Sequence, residues 1–298
     1  MFDRERIQGV IPPLATPLTQ DGSLDEPGLR RLIGRLLDAG CHGMFMLGGT
    51  GEGLYLTDAA YTRTIEVSVD EVAGRVPVLV GISDTSTSRS VERGKLAARL
   101  GADVLIANPP CIGQKPADVV YEHYMRLAGE TGAPIMVYNV PPGIPTDVTV
   151  ETLAKLAEQD GIIGMKDSAS YGHLSRVLAA TKGTGFRMLC GVENFFVPSM
   201  RAGAVGGTLA SANVDPQLSV KTYNACVSGD WDQAQQLQYL LSEFVEIAYH
   251  NNWTLVCKHA LSLLGVCESD TSELPATALT SEQKKVVREW LVQHQLLG

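Results

Sequence analysis

Lys166 is the single cation in Ile162-Ile163-Gly164-Met165-Lys166-Asp167-Ser168, an apolar run behind Gly161 that reads as a buried strand meeting its loop. An ammonium in that position must find an anion or lose its proton, because desolvation disfavours the charged form. A neutral lysine amine is a nucleophile that forms a Schiff base with a carbonyl. The plain alternative is a strand-end lysine that reaches solvent or pairs with Asp167. Tyr138 ends another apolar run, in Tyr138-Asn139-Val140-Pro141-Pro142, one strand–helix unit upstream. Its phenol can pass protons if it faces the same space, and is otherwise an ordinary core aromatic. Gly48-Gly49-Thr50-Gly51-Glu52 leaves backbone N–H groups free to form an anion-binding concavity, with the Thr50 hydroxyl as a further donor. A carboxylate is the guest such a turn suggests; a flexible loop is the other reading. Gly206-Gly207-Thr208-Leu209 permits close backbone approach at a later strand end.

The elements that must position these residues recur with a regular period. Short β-rich runs at 10–14, 43–47, 76–81, 104–107, 135–138, 162–166, 186–190 and 206–209 each follow a glycine. A glycine after a helix supplies the left-handed position that turns the chain into the next strand. Amphipathic segments such as 26–39, 87–100, 117–128, 150–158 and 174–180 lie between them, with Thr146 and Asp147 as expected caps of the fifth helix. Eight apolar strands alternating with helices mean a parallel sheet covered by helices, and eight is the number that closes a barrel. We therefore expect an α/β fold, a (β/α)8 TIM barrel over residues 1–225. A doubly wound open sheet is the alternative, with no phosphate-binding fingerprint to favour it. Beyond the eighth unit, 217–227, 230–249, 254–264 and 281–295 are helical in period without a strand between them, so 226–298 reads as a C-terminal helical extension.

The 298 residues carry a net charge of −9 with a pI near 5.2, and Lys and Arg form no cluster, which argues against nucleic acid as a partner. No apolar run approaches the roughly 20 residues of a membrane span. The charged start, Met1-Phe2-Asp3-Arg4-Glu5-Arg6, has no apolar core of a signal peptide. Cys41, Cys111, Cys190, Cys226, Cys257 and Cys267 lack the spacing of a disulfide framework, so free thiols in a cytoplasmic protein are expected. Cys41-His42 and Cys257-Lys258-His259 lack metal-ligand spacing, and no cofactor or metal is called for.

Taken together, Gly48-Gly49-Thr50-Gly51-Glu52, Tyr138-Asn139-Val140-Pro141, Gly164-Met165-Lys166-Asp167 and the run 203–213 resemble the dihydrodipicolinate synthase / N-acetylneuraminate lyase family. The likeness runs in order from about Gly9 to Asn213, and the helical tail fits it. It implies a class I pyruvate lyase in a homotetramer built as a dimer of dimers. It makes Lys166 the Schiff-base lysine, Tyr138 the proton-transfer residue, and Gly49 and Thr50 with their backbone the site of a 2-oxo acid carboxylate. The main chain of Thr208 would lie near the bound oxo acid.

Departures from the family pattern bear on the substrate. The synthases carry a Tyr-Tyr pair after the fourth strand, where this chain has Asn108-Pro109-Pro110 followed by Cys111. They place an arginine for the aldehyde's carboxylate just past Tyr-Asn-Val-Pro, where this chain reads Pro142-Gly143-Ile144, and Gly49 replaces the first of their two threonines. The sialate lyases' strand-eight serine is Ala210, and their acidic pair is Glu193-Asn194. Both activities therefore rank below an aldolase that cleaves or condenses a short hydroxy-2-oxo acid, as in the 4-hydroxy-2-oxoglutarate and 2-keto-3-deoxy-sugar-acid aldolases. A dehydratase on the same lysine imine is the alternative, and a non-catalytic oxo-acid-binding protein a remoter one. Ser168, Glu193 and the 111–115 loop are expected to line the distal pocket. Equally open readings are a helix cap for Ser168, a solvated helix start for Glu193 and plain loop for 111–115.

Overall fold

The computed structural model describes residues 2–141, 143–249 and 251–298; Met1 and Pro142, named above, lie outside them. Eight strands run β1 (Gly9–Val10), β2 (Met44–Met46), β3 (Val78–Gly81), β4 (Val104–Ala107), β5 (Ile135–Asn139), β6 (Ile162–Asp167), β7 (Arg187–Cys190) and β8 (Gly206–Gly207). All neighbouring pairs are parallel, in the order β1-β8-β7-β6-β5-β4-β3-β2. The sheet curls so that its two ends meet. His42 N–H donates to Val10 O at 2.8 Å, Phe45 N–H to Pro12 O at 3.0 Å and Leu14 N–H to Phe45 O at 2.8 Å. This curled sheet, with helices between its strands, is consistent with a (β/α)8 barrel.

The helices between strands are α1 (Glu26–Asp38), α2 (Asp58–Val72), α3 (Thr87–Arg99), α4 (Ala117–Glu130), α5 (Val150–Ala157), α6 (Tyr171–Ala180) and α7 (Phe196–Ala202). Then come α8 (Pro216–Ser228), α9 (Trp231–Tyr249), α10 (Trp253–Leu263) and α11 (Ser281–Gln293). The expected caps of α5 are displaced. Thr149 caps that helix, while Thr146 accepts from Lys115 N–H at 2.9 Å and Asp147 accepts from the Asn139 side chain at 2.9 Å. Two residues that can cap a helix are thus used by neighbouring loops and strands instead. The first and last strands are two residues each; an isolated parallel bridge from Pro13 to Phe45 continues the first run, and a 3-10 turn over Ala210–Asn213 follows the last.

Side chains separate by strand periodicity. Ile11, Phe45, Leu79, Val104, Ile106, Met136, Ile163 and Leu189 fill the inside of the curl, with Tyr138 packed against them. Ile135, Val137, Ile162, Met165 and Met188 belong to the larger core between sheet and helices. A third cluster, with Phe244, Val256, Trp290 and Leu291, holds the C-terminal helices together.

The inside–outside alternation breaks once near Lys166. Ile135 pairs with Ile162, but Met136 pairs with Gly164, so Ile163 is an extra residue that shifts the register by one. From there Tyr138 pairs with Lys166 and Asn139 with Asp167. At Gly164 a Cβ would stand 2.2 Å from Arg187 O on the next strand. Gly164→Ala must therefore push β6 and β7 apart or straighten the bulge. We expect it to lower stability by about 1–3 kcal/mol, as overpacking does, measured as a urea-midpoint shift.

Candidate active site

Lys166 ends up on the inner side, 4% exposed, at the loop end of β6. Its Nζ lies 4.3 Å from the Tyr138 ring centroid and 5.1 Å from that of Phe45, and the two rings meet edge to face at 6.3 Å. Among the described residues no carboxylate pairs with it. Asp167, its neighbour in sequence, points the other way, as alternation along a strand requires.

Asp167 is engaged by its own network. Its Oδ2 lies 2.7 Å from His173 Nδ1, and its Oδ1 accepts from Asn139 Nδ2 at 3.2 Å and from Ala169 N–H at 3.1 Å. Asn139 Oδ1 accepts in turn from Val148 N–H at 3.0 Å. The second nitrogen of His173, Nε2, lies 3.0 Å from Val148 O. Both ring nitrogens thus face acceptors, and both are satisfied only if both carry protons. Burial alone would depress the His173 pKa, but the hydrogen bond and charge of Asp167 outweigh it, and the pKa is raised.

A second chain of hydrogen bonds ties the ends of β3, β4 and β5. Ser83 Oγ donates to Asn108 Oδ1 at 2.9 Å, and Asn108 Nδ2 donates to Tyr138 O at 2.9 Å. Tyr61 and Tyr124 reach from α2 and α4 to Gly81 O at 2.7 Å and Ala107 O at 2.9 Å. The rim is therefore fixed by donors that arrive from outside the sheet.

The glycine-rich turn is packed rather than loose. Leu47 takes a left-handed conformation at φ 59°, and its carbonyl would stand 2.1 Å from a Cβ on Gly53 and 2.3 Å from one on Gly81. Thr16 Oγ1 donates to Gly51 O at 2.7 Å and Arg93 Nη1 to Gly53 O at 3.0 Å. Gly49 is exposed, with open space where a side chain would project, and Thr50 beside it is half-buried.

A cavity opens over this turn and over Phe45 and Tyr138, bounded further by Asn108, Val140, Gly143, Ile144 and Leu274. Gly49 and Tyr138 line it; Thr50, Lys166, Ser168, Glu193 and Thr208 do not, and Lys166 Nζ stands over the two rings. Thr208 lies at the end of β8, its N–H donating to Cys190 O at 2.8 Å, and its buried hydroxyl has no hydrogen-bond partner among the described residues. Ser168 donates to Gly191 O at 3.3 Å and is not a helix cap; Ser170 caps α6. Glu193 is buried, not solvated, and accepts from Ser211 N–H at 3.0 Å. Burial raises its pKa, against the Ser211 hydrogen bonds and the charge of Lys166, which lower it.

Three further participants belong to none of the motifs above: His173, Leu274 and Lys258, the last paired with Glu52. His173 sits in the first turn of α6, six residues after Asp167, where a histidine can reach back to the strand-end carboxylate. The other two come from the C-terminal extension, and no local pattern joins them to the turn. Cys111, in the 111–115 loop, is half-buried, and burial first, then Asp84, pushes its thiol up. No three His, Cys, Asp or Glu side chains gather to hold a metal, and no helix is long and apolar enough to cross a membrane, among the described residues.

The raised His173 pKa gives a signed expectation. Its contribution to stability is full below about pH 6.5, the unperturbed histidine value, and is lost as pH rises through the folded-state value. The stability gap between wild type and His173→Gln should therefore shrink from pH 5.5 to pH 8.5 in urea titrations. A gap independent of pH would assign the histidine a neutral role.

Residues 6–294 match the dihydrodipicolinate synthetase family. The 4-hydroxy-tetrahydrodipicolinate synthase of Methanopyrus kandleri is 35% identical over 98% of both chains, and that of Methylobacterium radiotolerans 33% over 96% of this chain and 95% of the other. Dihydrodipicolinate synthase from Aquifex aeolicus superposes with a TM-score of 0.93 at 29% identity, covering 97% of this chain and 99% of that one. YagE, a prophage protein of the same family from E. coli K12 solved in complex with pyruvate, gives 0.92 at 30% identity and the same coverage. The names of the relatives run against the ranking drawn above from Gly49, Cys111 and Gly143, which put the synthase activity lower. The chain belongs to the dihydrodipicolinate synthetase family, whose members are class I pyruvate-dependent aldolases and lyases.

Proposed function

We propose that this enzyme cleaves, or in reverse forms, a short hydroxy-2-oxo acid through an imine on Lys166, with pyruvate as one product and a neutral aldehyde as the other. The observation that carries the reading is a contrast between two buried lysines. Lys258, 1% exposed, is paired with Glu52 and bonded to Thr271 O at 2.7 Å; Lys166, 4% exposed, has no carboxylate within ion-pairing distance among the described residues, though the charge of Glu193 reaches it. An amine with no carboxylate bonded to it leaves its nitrogen open to a carbonyl carbon.

On this reading the sheet closes as a (β/α)8 barrel over residues 1–225, and the substrate's carboxylate binds at Gly49, Thr50 and the Thr208 main chain. The Lys166 amine attacks C2, and loss of water from the carbinolamine leaves a protonated imine. Tyr138 gives its phenol proton to the hydroxyl that leaves the carbinolamine as water, and the phenolate then takes the proton of the C4 hydroxyl as the C3–C4 bond breaks, with the electron pair held as an enamine. The aldehyde leaves, C3 is protonated, and hydrolysis frees pyruvate and the amine. Ser168 and Glu193, expected in the distal pocket, are not among the residues that line the cavity; Ser168 is bonded to Gly191 O and Glu193 to the backbone of Ser211. The neutral aldehyde is favoured because no lysine or arginine lines the cavity among the described residues, while Val140, Ile144 and Leu274 do. The dehydratase shares every step up to the imine. Synthesis of 4-hydroxy-tetrahydrodipicolinate is the second reading, favoured by the relatives' names. Assembly as a homotetramer in the cytoplasm belongs to the same proposal.

Borohydride reduction in the presence of pyruvate should add mass on Lys166 in a peptide map, and Lys166→Ala should abolish both adduct and turnover. An adduct on Lys182 would overturn the assignment. Tyr138→Phe keeps the ring against Lys166 and removes the phenol, so folding and pyruvate binding should survive. Turnover should fall by roughly 10²–10⁴, the range for a positioned acid–base group. Pyruvate release from 2-keto-3-deoxy sugar acids supports the aldolase; pyruvate consumed only in the synthase condensation supports the second reading.

A further inference from the structure

Glu52 closes the glycine-rich turn at φ 57° and is wholly buried. One carboxylate oxygen pairs with Lys258 Nζ on α10. The other accepts from Ser272 Oγ at 2.8 Å, Glu273 N–H at 2.6 Å and Leu274 N–H at 3.2 Å. Lys258 Nζ also donates to Thr271 O at 2.7 Å. Four consecutive residues of the extension are therefore tied to one buried ion pair. Just upstream, Glu268 N–H donates to Asp25 at 2.8 Å and Ser269 Oγ to Leu18 O at 2.8 Å, so the segment is held against the barrel's first loop as well. Its result at the site is the placement of Leu274 in the cavity lining, with Tyr138, Val140 and Ile144.

A buried ion pair is a weak source of net stability, since apolar residues of similar volume often do as well. What it supplies here is direction: the carboxylate aims three donors of the loop and fixes where Leu274 points. We propose that residues 271–274 form the outer wall of the substrate cavity, that Glu52 and Lys258 are the residues that position it, and that Leu274 sets how long a carbon chain the bound 2-oxo acid can carry beyond C3. The proposal rests on the imine reading of Lys166 and extends it to the far side of the substrate.

The test traps a series of 2-oxo acids, from pyruvate to 2-oxohexanoate, with borohydride on wild type, Leu274→Ala and Lys258→Met, and quantifies each adduct by intact mass. Wild-type labelling should fall with chain length. Leu274→Ala should raise labelling by 2-oxopentanoate relative to pyruvate by about tenfold, the lower range for a pocket that gains room for methylenes. Lys258→Met should relax the profile in the same direction and lower the melting temperature. Identical length profiles in wild type and Leu274→Ala overturn the inference and leave the imine reading standing. No adduct on wild type with any acid overturns both. A Lys258→Met protein that melts lower but keeps the wild-type profile shows that the pair serves the fold alone. If that variant does not fold, Ser272→Ala, which removes one hydrogen bond from Glu52 and keeps the ion pair, is read by the same two outcomes.

Discussion

The site depends on one extra residue. With unbroken alternation from the Ile135–Ile162 pair, Tyr138 would face Met165 across the sheet, and Lys166 would point among the apolar side chains under the helices. The bulge at Ile163 moves the pairing by one and puts Lys166 beside Tyr138, on the inside of the curl. A slip of one residue exchanges the two faces of a strand, so the register has to be strongly specified. Asn139 specifies it from the next position, bridging to Asp167 across the strands and to Asp147 and Val148 in the loop. The bond from Ser168 N–H to Asn139 O at 2.8 Å continues the ladder past the strand end.

Charge burial is handled in two ways. Glu52 with Lys258, and Asp167 with His173, are each closed by hydrogen bonds on both partners. The second closure bears on chemistry at a distance, because His173 and Asn139 occupy the one carboxylate that sequence places next to Lys166. An ion pair between Lys166 and Asp167 would hold the amine protonated. Strand alternation turns Asp167 outward, and His173 gives it a better-aligned partner there. Lys166 is left against two aromatic faces, with no carboxylate bonded to its amine among the described residues.

Much of this was legible in the sequence, for identifiable reasons. Apolar runs behind regularly spaced glycines gave the strands, and the period between Tyr138 and Lys166 placed them on neighbouring strands. The helices over Asp58–Val72 and Phe196–Ala202 were not singled out: the first is rich in β-branched residues, and the second is only seven residues long. The bulge was illegible, since nothing local marks Ile163 as unpaired. The caps Thr146 and Asp147 were misread because a side chain that can cap a helix serves equally well as a partner for Lys115 or Asn139. Glu52 was read as part of an anion-binding turn, whereas its own carboxylate is directed away, to residues more than two hundred positions later.

The division between strand ends and loops explains how a family can keep one chemistry and change its substrate. Lys166 and Tyr138 are fixed by the ladder, the bulge and the packed interior, so their geometry tolerates little. The distal wall draws on Val140, Gly143 and Ile144 from the β5 loop and on Leu274 from the extension. None of these is part of the ladder that fixes Lys166 and Tyr138. An arginine in the β5 loop would give that wall a charge to hold a carboxylate; the glycine and aliphatic residues present leave it apolar. The wall can therefore be rewritten by substitutions that do not touch the register. On the proposed reading, the ladder holds the residues common to the family's chemistry, and the loop residues of that wall face the far end of the substrate.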